Sequence, residues 1–191
     1  MKAIKYVLAG ALLLGSVAPT MAQQNEKAII DHVSQVIKNK GADFEKQVNQ
    51  LYKENKKDAQ ALLAIAKVFY NAKDLDHAIQ FADHALARDR KLAKAYILKG
   101  DIAVSKDDAG TAAENYEQAK YFDPQDPEGY YKYAMILRGR SPEDAVRNLE
   151  ELRKQRPDYP VDALAGRIYY FAQNYQKAVE YFDKIQDISK M

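Results

Sequence analysis

The sequence predicts an all-α protein, an α-solenoid in which helix-turn-helix units stack side by side. Three observations carry that prediction. Apolar residues recur at spacings of three and four, the period of a helix with one buried face, and no stretch alternates in the manner of a strand. Alanine returns at Ala78, Ala112, Ala145 and Ala178, at intervals of 34, 33 and 33 residues. Short polar breaks at Lys73-Asp74, Arg88-Asp89-Arg90, Asp123-Pro124 and Arg156-Pro157 separate the periodic segments. A fixed period of this length marks a repeat architecture, because one helix pair cannot bury its apolar face alone.

The chain opens with MKAIKYVLAGALLLGSVAPTMAQQ. Lys2 and Lys5 precede a short apolar run from Val7 to Leu14, and Thr20 and Ala22 supply small residues at the −3 and −1 positions of a cleavage site. Residues 1–22 therefore read as a secretory signal peptide. The run is too short for a comfortable membrane span, which needs about 20 residues. The expected product is periplasmic or secreted, with no integral membrane insertion after signal removal.

Losing Lys2 and Lys5 leaves 27 basic and 27 acidic residues, so the mature chain has no net charge. Without a basic surplus to neutralise phosphates, nucleic acid is not an expected partner. The chain has no cysteine. This excludes disulfides, thiol catalysis, thiolate metal sites and lipid attachment at a mature N-terminal cysteine.

Residues 23–57 form a divergent N-terminal helix pair that caps the array. AIIDHVSQVIKN and DFEKQVNQLYKEN are both amphipathic and are broken at Lys40-Gly41-Ala42. Phe44 lies 34 residues before Ala78, with Val48 and Leu51 four and seven further on, so the phase continues. Residues 58–191 form the regular array, in units of about 58–92, 93–126, 127–158 and 159–191.

In the first regular unit, Leu62, Ile65, Ala66 and Phe69 share one helical face, and Leu75, Ala78, Ile79, Ala82, Ala85 and Leu86 share another. Four residues past each alanine anchor stand Ala82, Tyr116, Leu149 and Phe182; seven past stand Ala85, Ala119, Leu152 and Ile185. Small residues let helix backbones approach, while these larger neighbours fill the seam. Twelve before the anchors come Ala66, Gly100 and Gly166, but Ala134 lies only eleven before Ala145. The third unit has thus lost one residue near Gly139-Arg140-Ser141-Pro142, where Ser141 reads as an N-cap ahead of a first-turn proline.

Between units, YFDPQDPEGYYKYA is punctuation: Asp123-Pro124 ends one helix and Asp126-Pro127 starts the next. Tyr116, Tyr130 and Tyr169 are expected in seams, with Tyr133 beside Tyr130.

Reactive groups are scarce. His77 and His84, seven apart on one helix, fit a metal poorly and read as surface residues. The mature hydroxyls, Ser34, Ser105, Thr111, Ser141 and Ser189, stand in no nucleophile motif, and the eight glycines form no phosphate loop. Asp107-Asp108 and Glu150-Glu151 fall at a turn and on a solvated face. The sequence predicts no catalytic residues, no cofactor and no metal.

A unit of 34 residues with small residues at its eighth and twentieth positions, and proline near the thirty-second, resembles the tetratricopeptide repeat. AKAYILKGDIAVSKDDAGTAAENYEQAKYFDPQD fits best, and the resemblance covers residues 58–190. It implies a right-handed superhelix whose concave wall is made of the first helix of each pair. In the family, residues one and four past the small eighth position face that groove. Here they are Lys67 and Tyr70, Asp101 and Val104, Met135 and Arg138, and Arg167 and Tyr170, with Asn71, Tyr131 and Phe171 beside them. A wall of rings and long cations suits an extended peptide or protein segment. The paired asparagines of the carboxylate-clamp version are missing apart from Asn71, so that specialised ligand is not predicted.

The last helix places Tyr181, Phe182, Ile185 and Ile188 near the end of the sequence. A solenoid needs a polar outer face at its ends. The expectation is either self-association through this C-terminal helix, as a structural assembly module, or an N-terminal fragment of a longer envelope repeat protein.

Overall fold

The computed structural model describes residues 21–185. The signal peptide expected over residues 1–22 lies outside them save for its last two residues, and Ile188 lies outside them altogether. Ten helices and no strand occur among the described residues. They are α1 (Met21–Lys38), α2 (Phe44–Asn55), α3 (Ala59–Asn71), α4 (Leu75–Arg88), α5 (Ala93–Ser105), α6 (Ala109–Phe122), α7 (Pro127–Leu137), α8 (Pro142–Gln155), α9 (Val161–Phe171) and α10 (Tyr175–Phe182). From α3 onward each odd helix packs on the even helix that follows, and each even helix on the next odd one. The fold is the tandem helix-pair repeat the period predicts.

Asp58, Asp74, Asp108, Asp126 and Asn174 cap the starts of α3, α4, α6, α7 and α10, each accepting a hydrogen bond from a backbone N–H of the first turn. Three turns within pairs share one geometry. Lys73, Asp107 and Gln173 adopt left-handed φ values of 64°, 57° and 60°. The next residue sends its N–H back to the helix: Asp74 to Phe69 O, Asp108 to Ala103 O and Asn174 to Tyr169 O, at 3.0, 2.9 and 2.9 Å. This is the Schellman closure. Its last residue is also the N-cap of the second helix, so stop and start share one position.

Two seams carry an aromatic ring on a glycine. A Cβ on Gly100 would lie 2.3 Å from Tyr116 Cε1, and one on Gly166 would lie 2.4 Å from Phe182 Cε1. Tyr116, Tyr130 and Tyr169 are buried, at 2%, 6% and 5% exposure. Tyr181 stacks at a tilt on Tyr169, 5.7 Å between centroids. The apolar outer face expected on the last helix is therefore corrected for Tyr181 and Phe182. Tyr181 and Phe182 pack against α9 within their own unit, and the exposed apolar residues of α10 are Tyr175 and Val179.

The N-terminal pair differs from the others, since α1 packs chiefly along α3 rather than on α2. α2 buries Phe44, Val48 and Leu51. The histidines expected on the surface are instead built into the α2–α4 seam: the His77 ring lies edge-on to Phe44, and His84 stacks on Tyr52.

Candidate peptide-binding cleft

Tyr131, Met135 and Arg138 stand four and three residues apart on α7, which puts them on one face. Leu164, Arg167, Ile168 and Phe171 form the matching face of α9, and the two faces line a common cleft. Met135 and Leu164 are half-buried and Ile168 is buried, giving an apolar floor. The rim is exposed and made of Tyr131, Phe171 and two guanidinium groups.

The electrostatics of this rim are one-sided. Arg138 lies over the Phe171 ring at 5.8 Å, and its Nη1 is 3.3 Å from the Met135 sulfur. Arg147, Arg153 and Arg156 on the second helices and their connections are each paired with a carboxylate. Arg138 and Arg167 have no such partner among the described residues, and no acidic residue lines the cleft. An arginine stacked on a ring keeps its hydrogen-bonding edge available for a carboxylate. The site therefore offers an apolar floor, two aromatic walls and two uncommitted cations.

The other residues of the expected groove lie elsewhere. Tyr170 is 57% exposed and turns to Tyr175, with ring centroids 5.6 Å apart. Together with Phe171 these rings extend the aromatic surface around the α9–α10 turn. Asp101 is committed within the fold. It accepts hydrogen bonds from the Tyr116 hydroxyl at 2.8 Å and from Lys132 Nζ at 2.8 Å to each oxygen. Burial, followed by the Asp101 hydrogen bond and charge, pushes the Tyr116 hydroxyl far above the ordinary phenol range, so it stays a donor.

Tyr70 is half-buried and its hydroxyl lies 3.3 Å from Ser105 Oγ, joining two adjacent units. Lys67 lines a hollow shared with Asn25, Glu26 and Ile29 of α1, and Asn71 one shared with Ile30, Ser34 and Ile37. The N-terminal end of the first-helix row is thus flanked by α1, and the arginines of that row, Arg138 and Arg167, stand at α7–α9. Leu164 and Ile168 were not anticipated. Their spacing around Arg167 is the one signal for them, and it is the same spacing that serves a seam.

Among the described residues no group of histidine, aspartate and glutamate side chains is arranged to hold a metal ion. No described helix is long and apolar enough to cross a membrane.

Residues 93–126 and 137–190 each match a family model described as tetratricopeptide repeat. No curated protein matches the sequence. Solved structures of MamA proteins are similar in fold. One superposes with a TM-score of 0.62 at 18% identity, covering 88% of this chain and 94% of that one. A second reaches 0.61 at 18% identity, over 84% and 90% of the two chains. "MamA 41-end from Desulfovibrio magneticus RS-1" gives 0.61 at 15% identity, over 86% and 95%. Identities this low speak to the fold alone. The matched repeats, the recurrent turn closure and the small-residue helix crossings agree: residues 93–126 and 137–190 of this chain are tetratricopeptide repeats.

Proposed function

We propose that this protein is a non-enzymatic scaffold, periplasmic or secreted, that holds a peptide or protein segment along its first-helix face and grips it at the α7–α9 cleft. The observation that carries the reading is the meeting of Tyr131, Met135, Arg138, Arg167 and Phe171 around one apolar floor with no acidic residue among the lining. Rings and aliphatic side chains give contact area, and the two guanidinium groups favour carboxylate-bearing segments over basic ones. Export rests on the Lys2, Lys5 and Val7–Leu14 pattern and its small-residue cleavage site.

An immobilised library of synthetic peptides, probed with the chain lacking residues 1–22, tests the cleft. Peptides retained by the wild type are expected to lose about tenfold or more in affinity to the double variant R138E/R167E, the order of effect seen when close charge pairs are reversed. Unchanged binding would place the grip elsewhere.

A second reading, self-association through the C-terminal pair, is favoured by the exposure of Tyr175 and Val179 at 58% and 56%. Here the expected result is a light-scattering mass that rises with concentration and returns to the monomer value in Y175E/V179E. A monomer at every dilution sinks it.

A further inference from the structure

The seam between α2 and α4 is built unlike those between α6 and α8 and between α8 and α10. Ion pairs bridge α6 to α8 through Lys120 and Glu151, and α8 to α10 through Glu143 and Lys177. Between α2 and α4 stand two of the chain's three histidines.

The His77 side chain is 16% exposed, edge-on to Phe44 of α2 at 5.5 Å and tilted on Phe69 of α3 at 5.1 Å. Its Nδ1 is 2.9 Å from Asp74 Oδ1 and its Nε2 is 3.4 Å from Glu45 Oε2. Both ring nitrogens therefore face carboxylate oxygens. A neutral imidazole has one N–H, so its other nitrogen would set a lone pair against a carboxylate. Only the imidazolium donates to both.

The charged surroundings are few. From α2 comes Glu45 and from the α3–α4 turn Asp74; α3 contributes only the Phe69 ring. Lys40, in the α1–α2 connection, lies 3.6 Å from Asp74 Oδ2 and 4.4 Å over the Phe44 ring, so it engages the carboxylate oxygen that His77 leaves free. Lys73, Asp76 and Lys106 line the outer hollow beyond Asp74. Burial works against ionisation of Asp74, but the His77 hydrogen bonds, His77 and Lys40 outweigh it and hold its carboxyl below the ordinary range. Asp74 is thus charged wherever histidine titrates.

We propose that His77 is a proton-operated clasp: protonation lets one ring bind Asp74 and Glu45 together and fastens α2 to the array, while deprotonation releases the Glu45 arm. The sign follows from the donors. The stabilising contact is present while the ring carries its second proton and is lost when rising pH removes it. Glu45 is 73% exposed, so the arm has the strength of a surface pair, about two- to fivefold in an equilibrium constant, and weakens with salt. The inference stands independently of the binding cleft.

Hydrogen exchange on the full chain tests it, with protection factors of α2 amides divided by those of α6, which carries no histidine. The ratio is expected to be about two- to fivefold higher at pH near 5.5 than near 8. The difference should vanish in Glu45→Gln and in His77→Phe, the latter keeping a ring against Phe44 and Phe69. Equal ratios at both pH values overturn the clasp, as does a pH response that survives E45Q. His84 stacks on Tyr52 at 4.2 Å in the same seam. A response kept in H77F but lost in His84→Phe would also overturn the assignment. Should H77F fail to fold, E45Q changes only an exposed side chain and carries the test.

Discussion

The neighbouring pairs α5–α6 and α7–α8 obey one period but close their internal turns differently. In α5–α6 Asp107 turns left-handed, and Asp108 both satisfies Ala103 O and caps α6. In α7–α8 one residue is missing between the small residue and the anchor. Arg138 stays right-handed at φ −52° and ψ −32°, and Ser141 N–H reaches back to Leu137 O at 2.8 Å. Ser141 occupies the N-cap position, as the sequence suggests. Its hydroxyl makes no capping bond and engages the Asp144 carboxylate instead, with Pro142 leaving one fewer N–H to satisfy. The seams differ as well, a ring on Gly100 in one pair and buried Ala134 and Leu149 in the other. The period is thus enforced by helix crossings, and a lost residue is absorbed in the turn. Arg138 sits where that absorption happens, at the end of α7, from which its side chain lies over Phe171.

The seams give the largest expected contrast. Gly100→Ala sets a methyl 2.3 Å from Tyr116 Cε1, and that ring is buried and tied through its hydroxyl to Asp101. Alanine's helix propensity returns about 1 kcal/mol, whereas overpacking a closed seam costs about 1–3 kcal/mol and at times more. At 2.3 Å the upper part of that range applies, so a net loss of about 2 kcal/mol is expected in denaturant titration. Gly129→Ala is the control in α7. Its nearest neighbours are Lys120 Cγ at 3.3 Å and Lys120 N at 3.4 Å, a far milder approach than at Gly100, so the gain in helix propensity of about 1 kcal/mol roughly offsets the crowding and little net change is expected. Equal effects of the two substitutions would mean that the ring on Gly100 does not set the crossing.

How much of this was legible depended on where each residue's partner lies in the chain. The crossings were readable because only small residues fit there, which fixes Ala66, Gly100, Ala134 and Gly166 in register whatever surrounds them. The left-handed turns were hidden, since Lys73, Asp107 and Gln173 hold a conformation that glycine would have advertised. Arg138 and Arg167 were findable from their place on first helices. Asp101 holds the equivalent place, and nothing local reveals that Lys132 and Tyr116 occupy its carboxylate. His77 read as a surface residue because its ring partner Phe44 and its acceptor Glu45 come from the divergent N-terminal pair.

The turns give the smallest contrast, and the one in which opposite substitutions are expected to stabilise the two pairs. Asp107 holds φ at 57°, where a Cβ is disfavoured by about 1–2 kcal/mol. Glycine removes that strain but loses more chain entropy on folding, so Asp107→Gly should stabilise by about 0.5 kcal/mol. Gly139, in the α7–α8 turn, has no positive φ, and nothing lies within 4 Å of an added Cβ. Gly139→Ala should therefore stabilise by about 0.4–1 kcal/mol, through the unfolded chain alone. For a chain of this size each change corresponds to about 1–3 °C in melting temperature. Glycine is favoured in one turn and alanine in the next. A destabilised D107G, or a destabilised G139A, would show that the two turns do not differ in the backbone freedom their geometry demands.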